Sequence, residues 1–198
     1  MYAKNTWEKY KDQLNEVFDY NEDYKHYISK NKTERACVKD SIKLAEEKGF
    51  KPLESFDTLK SGDKVYVTNR GKNIALFIIG KKPLTEGMRI LGAHIDSPRM
   101  DLKQNPLYES EGFTLADTHY YGGIKKYQWV TIPLSLYGVV CKKDGTVVDV
   151  VIGEDENDPV VGISDLLIHL SADQLDKKAA KVIEGENLDL LIGSIPFD

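Results

Sequence analysis

The sequence predicts an α/β protein in which helices and a sheet come first and a mostly antiparallel β unit follows. Through the first fifty residues, apolar side chains recur at helical steps of three and four. After Pro52 the period changes to the alternation of half-buried strands, and turn residues separate the later apolar runs. The change of pattern places a soft domain boundary near Asn105, between residues 1–105 and 106–198.

Composition and charge exclude several classes of protein. The 198 residues carry 27 Lys and Arg against 32 Asp and Glu, a formal net charge of −5, and 41% of them are hydrophobic. This balance is typical of a globular protein with a buried core, and it predicts no nucleic-acid partner. No apolar run is long enough to span a bilayer, and no secretory signal is visible. Two distant cysteines favour a reducing, cytoplasmic location.

Two helices are predicted before Pro52. The first covers residues 7–27, where the apolar side chains share one helical face: Trp7, Tyr10, Leu14, Val17, Phe18 and Tyr24. The second follows Asn31, whose carboxamide can cap the helix while Glu34 completes an N-x-x-E box. Gly49 is placed to end this helix.

Three strands are predicted to follow, at residues 64–68, 73–80 and 88–95. Turn residues at 69–72 make the first two a hairpin. The third strand should end at Pro98, because proline has no N–H to donate to a ladder.

The second part of the sequence predicts a loop followed by strands. Residues 101–127 lack periodicity and predict a long loop, of the kind that is functional or marks a domain junction. Residues 129–140 and 146–152 flank a Lys-Asp-Gly turn and predict a hairpin. A short helix is expected at 163–171 and an apolar strand at 188–196. Because the chain stops directly after that strand, we expect it to be a piece of a longer protein.

Residues 90–98, Ile-Leu-Gly-Ala-His-Ile-Asp-Ser-Pro, are the most informative for chemistry. In a strand His94 and Asp96 share a face, and here they lie at its C-terminal end, where ligands bind in open α/β sheets. Imidazole is a common metal ligand, and a nearby carboxylate can fix its tautomer. The pair alone is more typical of a buried structural histidine beside a cap or turn aspartate. A hydrolytic metal also needs three protein ligands and a base, of which this segment supplies one or two.

Several separated motifs carry a resemblance to a known family. They lie in order at residues 93–99 (Ala-His-Ile-Asp-Ser-Pro-Arg), 118–129 (Thr-His-Tyr-Tyr-Gly-Gly-Ile-Lys-Lys-Tyr-Gln-Trp) and 163–170 (Ile-Ser-Asp-Leu-Leu-Ile-His-Leu). From about Ser61 onward the chain closely resembles the M18 family of metalloaminopeptidases, the aspartyl aminopeptidase family, and in particular its bacterial branch.

The resemblance implies a peptide-cleaving aminopeptidase with two active-site metal ions, usually zinc. His94 matches a ligand of one metal, and Asp96 matches the carboxylate that orients this ligand. His169 matches a histidine that reaches the active site of a neighbouring subunit and helps to hold the substrate carbonyl as it becomes tetrahedral. In the family, a catalytic α/β sandwich is interrupted by a β-rich domain that mediates dimerisation within a dodecamer. That insert would begin near Pro106.

Departures from the family pattern set the expectation for this chain alone. Family members are longer, and their other metal ligands and catalytic Glu-Glu pair lie in a C-terminal half that this sequence lacks. We therefore expect the N-terminal part of a cytoplasmic enzyme, inactive by itself. A second hypothesis is a non-catalytic self-association module, in which the part after Asn105 drives assembly and the His-Asp pair is vestigial.

The remaining histidines are expected to be structural or solvated. His26 lies on the polar side of the first helix, and His119 adjoins a run of tyrosines and glycines. No Walker loop, dinucleotide fingerprint or serine-nucleophile elbow is present in the sequence.

Overall fold

Three helices open the chain in a computed structural model that describes residues 5–196: α1 (Thr6–Lys9), α2 (Leu14–Lys30) and α3 (Glu34–Glu47). The single helix expected at 7–27 is wrong, because a 3₁₀ turn at Lys11–Gln13 separates α1 from α2. No described residue of α2 is buried. Most helical stability in proteins comes from packing, so residues 7–27, of which the α2 part has no buried residue, lack the contacts that would stabilise one continuous helix.

The cap of α3 lies two residues later than the sequence suggested. The Thr33 hydroxyl accepts a hydrogen bond from Ala36 N at 3.2 Å, whereas Asn31 ends α2. Gly49 follows the helix with φ +83°, which confirms its predicted role as terminator. The buried face of α3 consists of Cys37, Val38 and Ala45.

A three-stranded sheet accompanies these helices. It comprises β1 (Lys51–Pro52), β2 (Lys64–Asn69) and β3 (Asn73–Ile78), with β1 parallel and β3 antiparallel to β2. The predicted hairpin is therefore confirmed. Its turn has positive φ at Arg70 (52°) and Gly71 (65°), and Arg35 of α3 donates to the Arg70 carbonyl at 3.0 Å.

The third predicted strand, 88–95, does not form. Residues 87–98 have no regular secondary structure and pair with no strand among the described residues. Ile90 and Leu91 are 77% and 102% exposed. A strand is stable only beside a neighbouring ladder, and the part of the chain that the structure describes supplies none here.

The chain divides into two compact units between Ser97 and Pro98. The boundary expected near Asn105 is displaced because β4 (Arg99–Ser110) runs through that residue. The assignment of the two parts as catalytic and dimerisation domains remains a prediction.

A long hairpin replaces the loop predicted at 101–127. β4 pairs antiparallel with β5 (Phe113–Tyr121) around Glu111 and Gly112, whose φ angles of 52° and 79° suit a two-residue hairpin turn. The register shifts between Leu102 and Leu107, a stretch that contains Pro106. Because proline cannot donate to the ladder, this irregularity interrupts the alternation that a strand prediction needs.

The second unit is built on a five-stranded sheet of order β4-β5-β10-β9-β6, with β6 at Pro133–Leu134, β9 at Val161–Gly162 and β10 at Leu190–Gly193. The strand predicted at 188–196 is thus confirmed only over its centre. The core of the unit joins β5 to the segments around β9 and β10, through Ala116, Val130, Ile163, Ile183, Leu188 and Leu190.

The predicted hairpin at 129–152 forms over part of its length. β7 (Leu136–Cys141) and β8 (Val147–Ile152) pair antiparallel as a separate two-stranded sheet. Residues 129–135 do not join it, because β6 pairs with β9 instead.

The helix predicted at 163–171 is also wrong. Ile163 is 2% exposed in the sheet core, and its carbonyl accepts a hydrogen bond from Thr131 N at 2.8 Å. A 3₁₀ turn at Ile168–Leu170 and the short helix α4 (Ala172–Leu175) follow. The apolar spacing that suggested a helix thus includes a residue that belongs to the sheet.

Hydrogen bonds within a polar cluster connect β4 and β5 to the segment that precedes β10. Tyr108 donates to Asp189 Oδ2 at 2.6 Å, and Thr118 N donates to Asp189 Oδ1 at 3.2 Å. The Thr118 hydroxyl donates to the Leu188 carbonyl. The hydrogen bond to Asp189, together with burial, raises the pKa of Tyr108 from its usual 10.0 to about 12.

We expect Tyr108→Phe to lower the stability of the chain at neutral pH. Because the folded protein holds the phenol proton more tightly than the unfolded chain does, this contribution is complete below pH 10 and is lost as the pH rises through about 12. Denaturant midpoints at pH 8 and above pH 11 measure the difference between wild type and variant. Tyr20→Phe, at a side chain that is 78% exposed, is the control. An equal difference at both pH values would contradict the assignment.

Candidate metal-binding site

The structure places His94 and Asp96 in contact, although the strand on which the sequence predicts a shared face for them does not form. His94 Nδ1 lies 3.0 Å from the Asp96 backbone carbonyl oxygen and 3.3 Å from Asp96 Oδ1. Both oxygens are hydrogen-bond acceptors, so the neutral ring carries its hydrogen on Nδ1. The other ring nitrogen, Nε2, then keeps the lone pair that a metal ligand needs.

Exposure separates the two interpretations that the sequence left open. The His94 side chain is 85% exposed and that of Asp96 is 42% exposed. Within the described residues, the ring is therefore not packed in an aliphatic core. The ring is accessible to an ion from solution.

The donor set around His94 fits a part of a zinc site. Within residues 5–196, no group of three or more His, Cys, Asp or Glu side chains is placed to hold a metal ion. A catalytic zinc takes three protein ligands and keeps a fourth position for water or substrate. The described residues thus supply one imidazole nitrogen and the acidic residue that orients it.

Arg99 is the last residue of the motif at 93–99, and the sequence assigned it no role of its own. Its Nε donates to Asp101 Oδ1 at 2.7 Å, and its guanidinium lies 4.1 Å from the centre of the Tyr121 ring. These contacts fix the side chain at the start of β4. The only signal for this arrangement in the sequence is the Arg-x-Asp spacing.

His169 lies in the second unit, in the 3₁₀ turn at Ile168–Leu170, and is exposed. Its neighbours form an apolar run whose side chains are 54–70% exposed: Leu166, Leu167, Ile168 and Leu170. Its catalytic role remains a prediction.

The other two histidines differ from His94 in their surroundings. His26 lies exposed on α2. His119 lies on β5 with its ring stacked on Tyr120 at 5.5 Å between centroids. No helix in residues 5–196 has the length and apolar character required to cross a membrane.

Relatives of known family cover almost all of the chain. It is 61% identical to a probable M18 family aminopeptidase 1 of Clostridium acetobutylicum, over 98% of this chain and 43% of the relative. It is 46% identical to the Thermotoga maritima protein of the same name, over 100% of this chain and 43% of the relative. The chain therefore spans less than half the length of these relatives.

Solved structures agree in fold. The crystal structure of the M18 family aminopeptidase from Thermotoga maritima superposes with a TM-score of 0.90 at 44% identity, over 100% of this chain and 43% of that one. Aminopeptidase I from Clostridium acetobutylicum gives 0.82 at 59% identity, over 99% of this chain and 44% of that one. The family model described as aminopeptidase I zinc metalloprotease (M18) matches residues 27–195. The chain belongs to the M18 peptidase family.

Proposed function

We propose that this chain is the N-terminal part of a zinc aminopeptidase that removes N-terminal residues from peptides, with two metal ions in the complete active site. The observation that carries the proposal is the exposed imidazole of His94, whose Nδ1 lies on Asp96 while Nε2 is left as a ligand atom. This arrangement lies within the region that matches a zinc metalloprotease family.

In this proposal His94 binds one metal through Nε2, and Asp96 holds the ring in the required tautomer and orientation. Bound zinc supplies Lewis-acid polarisation of the scissile carbonyl and lowers the pKa of water. Asp96 is a positioning residue, because its oxygens contact the ring nitrogen opposite the one that binds the metal.

The residues that complete the site are proposed to lie outside this chain's described part. One imidazole cannot hold a catalytic zinc, which takes three protein ligands. The relatives are more than twice as long as the region that they share with this chain. We place the remaining ligands and the general base in that additional length, and we expect the 198-residue chain alone to be inactive.

Self-association is a second part of the proposal, favoured by exposed apolar side chains in the second unit. The run at 166–170 is one such surface, and the β7–β8 hairpin exposes another: Val140, Val147, Val148 and Val151. Surfaces of this kind commonly mark interfaces. A more distant relative is described as the S. cerevisiae mApe1 dodecamer. We propose that the second unit mediates dimerisation within such an assembly and carries His169 to a neighbouring active site.

We also propose a cytoplasmic location. Cys37 is buried and Cys141 is exposed, and both are free thiols. Free thiols are typical of proteins in a reducing compartment.

His94→Ala in the full-length protein is expected to abolish peptidase activity and to lower the zinc content, because the variant lacks a direct ligand. The fold of the 198-residue chain should change little, since the side chain is 85% exposed in it. Zinc content, peptide hydrolysis and thermal unfolding measure the three quantities. His26→Ala, at an exposed histidine of α2, is the matched control. An active, fully metallated His94→Ala enzyme would refute the assignment.

Asp96→Asn is expected to weaken zinc binding by about 10- to 100-fold, because the amide keeps the shape of the side chain but not its charge. Competition with a chelator measures the affinity. Asp101→Asn, which alters a carboxylate bound to Arg99 rather than to His94, serves for comparison. Equal zinc affinities in wild type and Asp96→Asn would contradict the positioning role.

His169→Ala is expected to lower kcat by about 10²-fold while zinc content stays unchanged, because the side chain is proposed to stabilise the transition state and not to bind metal. His119→Ala should leave kcat within about twofold, since that ring stacks on Tyr120. Steady-state kinetics on the assembled enzyme separates the two variants. Full activity of His169→Ala would remove this residue from the site.

A further inference from the structure

The orientation of the His94 ring depends on a backbone atom. Its Nδ1 lies closer to the Asp96 backbone carbonyl oxygen, at 3.0 Å, than to Asp96 Oδ1, at 3.3 Å. A carbonyl oxygen moves only with the peptide plane that carries it. The tautomer of the ring therefore depends on the path of the chain through Asp96, in addition to the identity of that side chain.

The chain that leaves Asp96 is stiff. Ser97 and Pro98 follow it and lead directly to Arg99, the first residue of β4. The pyrrolidine ring fixes the φ angle of Pro98, and the residue before a proline is held in extended conformations. Since both linking residues are restricted, a shift at Arg99 moves the Asp96 carbonyl instead of being absorbed between them.

Contacts across the β4–β5 ladder hold Arg99 in place. Arg99 pairs with Tyr121, and this pair is at the end of the ladder. The Arg99 guanidinium lies 4.1 Å from the centre of the Tyr121 ring. Pro98 lies against Gly122, where an added Cβ would be 3.7 Å from the proline ring. A terminal pair has a neighbouring pair on one side only, so its side-chain contact matters more than that of an inner pair.

We propose that Arg99 is a positioning residue for the His94 ring. The stack of its guanidinium on Tyr121 fixes the start of β4 and thereby holds the Asp96 carbonyl against Nδ1 of the imidazole. The bond from Arg99 to Asp101 lies within β4 and does not join the two strands. This inference rests on the proposed function, in which His94 Nε2 binds zinc. Arg99 acts through the chain and is not a metal ligand.

The tautomer of His94 in the 198-residue chain tests this role. Long-range ¹H–¹⁵N correlation spectra distinguish the two neutral forms at about pH 9, where an ordinary imidazole is uncharged. We expect the wild-type ring to carry its hydrogen on Nδ1. Arg99→Gln, which removes the cation from the Tyr121 ring, should give a mixture of both tautomers. Tyr121→Leu, which removes the ring instead, should give the same mixture.

Lys64→Gln is the matched control. Lys64 is the first residue of β2, and its ammonium lies 5.6 Å from the centre of the Phe50 ring. This variant removes a cation from an aromatic ring at the start of another strand, and the His94 tautomer should not change. In the full-length enzyme, Arg99→Gln should weaken zinc binding by about tenfold, the lower end of the range for residues that orient a ligand, and Lys64→Gln should leave it unchanged.

The outcomes separate this inference from the proposed function. A wild-type ring with its hydrogen on Nε2 overturns both, because the contact with Asp96 is then absent. If Nδ1 keeps the hydrogen in Arg99→Gln and Tyr121→Leu, or if Lys64→Gln changes the tautomer equally, the inference alone is wrong. Thermal unfolding shows which variants fold, and the inference is also overturned if neither of the first two does. A mixture of tautomers with unchanged zinc affinity supports the positioning of the ring and counts against His94 as a ligand.

Discussion

The contact between His94 Nδ1 and Asp96 is the interaction on which this account depends. Two acceptor oxygens, at 3.0 and 3.3 Å, fix the hydrogen on one ring nitrogen and leave the other as the ligand atom. Since the ring is largely exposed, this nitrogen can meet an ion, but a single nitrogen cannot retain a catalytic metal. Among the described residues, the segment that carries His94 therefore has neither a neighbouring strand nor further metal ligands.

Elements fixed by local chemistry could be predicted from the sequence. Helix α3 and the β2–β3 hairpin depend on nearby cap and turn residues, and Gly49 and Gly71 adopt the positive φ that such positions favour. The predictions failed where contacts with residues distant in sequence determine the secondary structure. Residues 88–95 have the pattern of a strand, but no strand among the described residues pairs with them. Ile163 belongs to a sheet core rather than to a helix. The β4–β5 hairpin was missed because Pro106 lies in a register shift that interrupts the alternation.

The candidate site could be predicted only in part, and the reasons are similar. The two-residue spacing of His94 and Asp96 predicted a shared face on a strand, and the two side chains are in contact although residues 87–98 form no strand. The additional bond to the Asp96 backbone carbonyl, and the exposure of the ring, depend on the path of the chain and could not be obtained from spacing. The catalytic role proposed for His169 involves the active site of a second molecule, and the sequence pattern of one chain cannot predict a contact between two molecules. Only the resemblance to a family suggested it.

Anomalous diffraction at the zinc absorption edge, from crystals of the full-length enzyme, shows whether His94 binds zinc. We expect an anomalous peak about 2.0–2.1 Å from His94 Nε2, with Nδ1 still on Asp96. A zinc peak that leaves His94 outside its coordination sphere, or one that lies on Nδ1, would contradict this expectation.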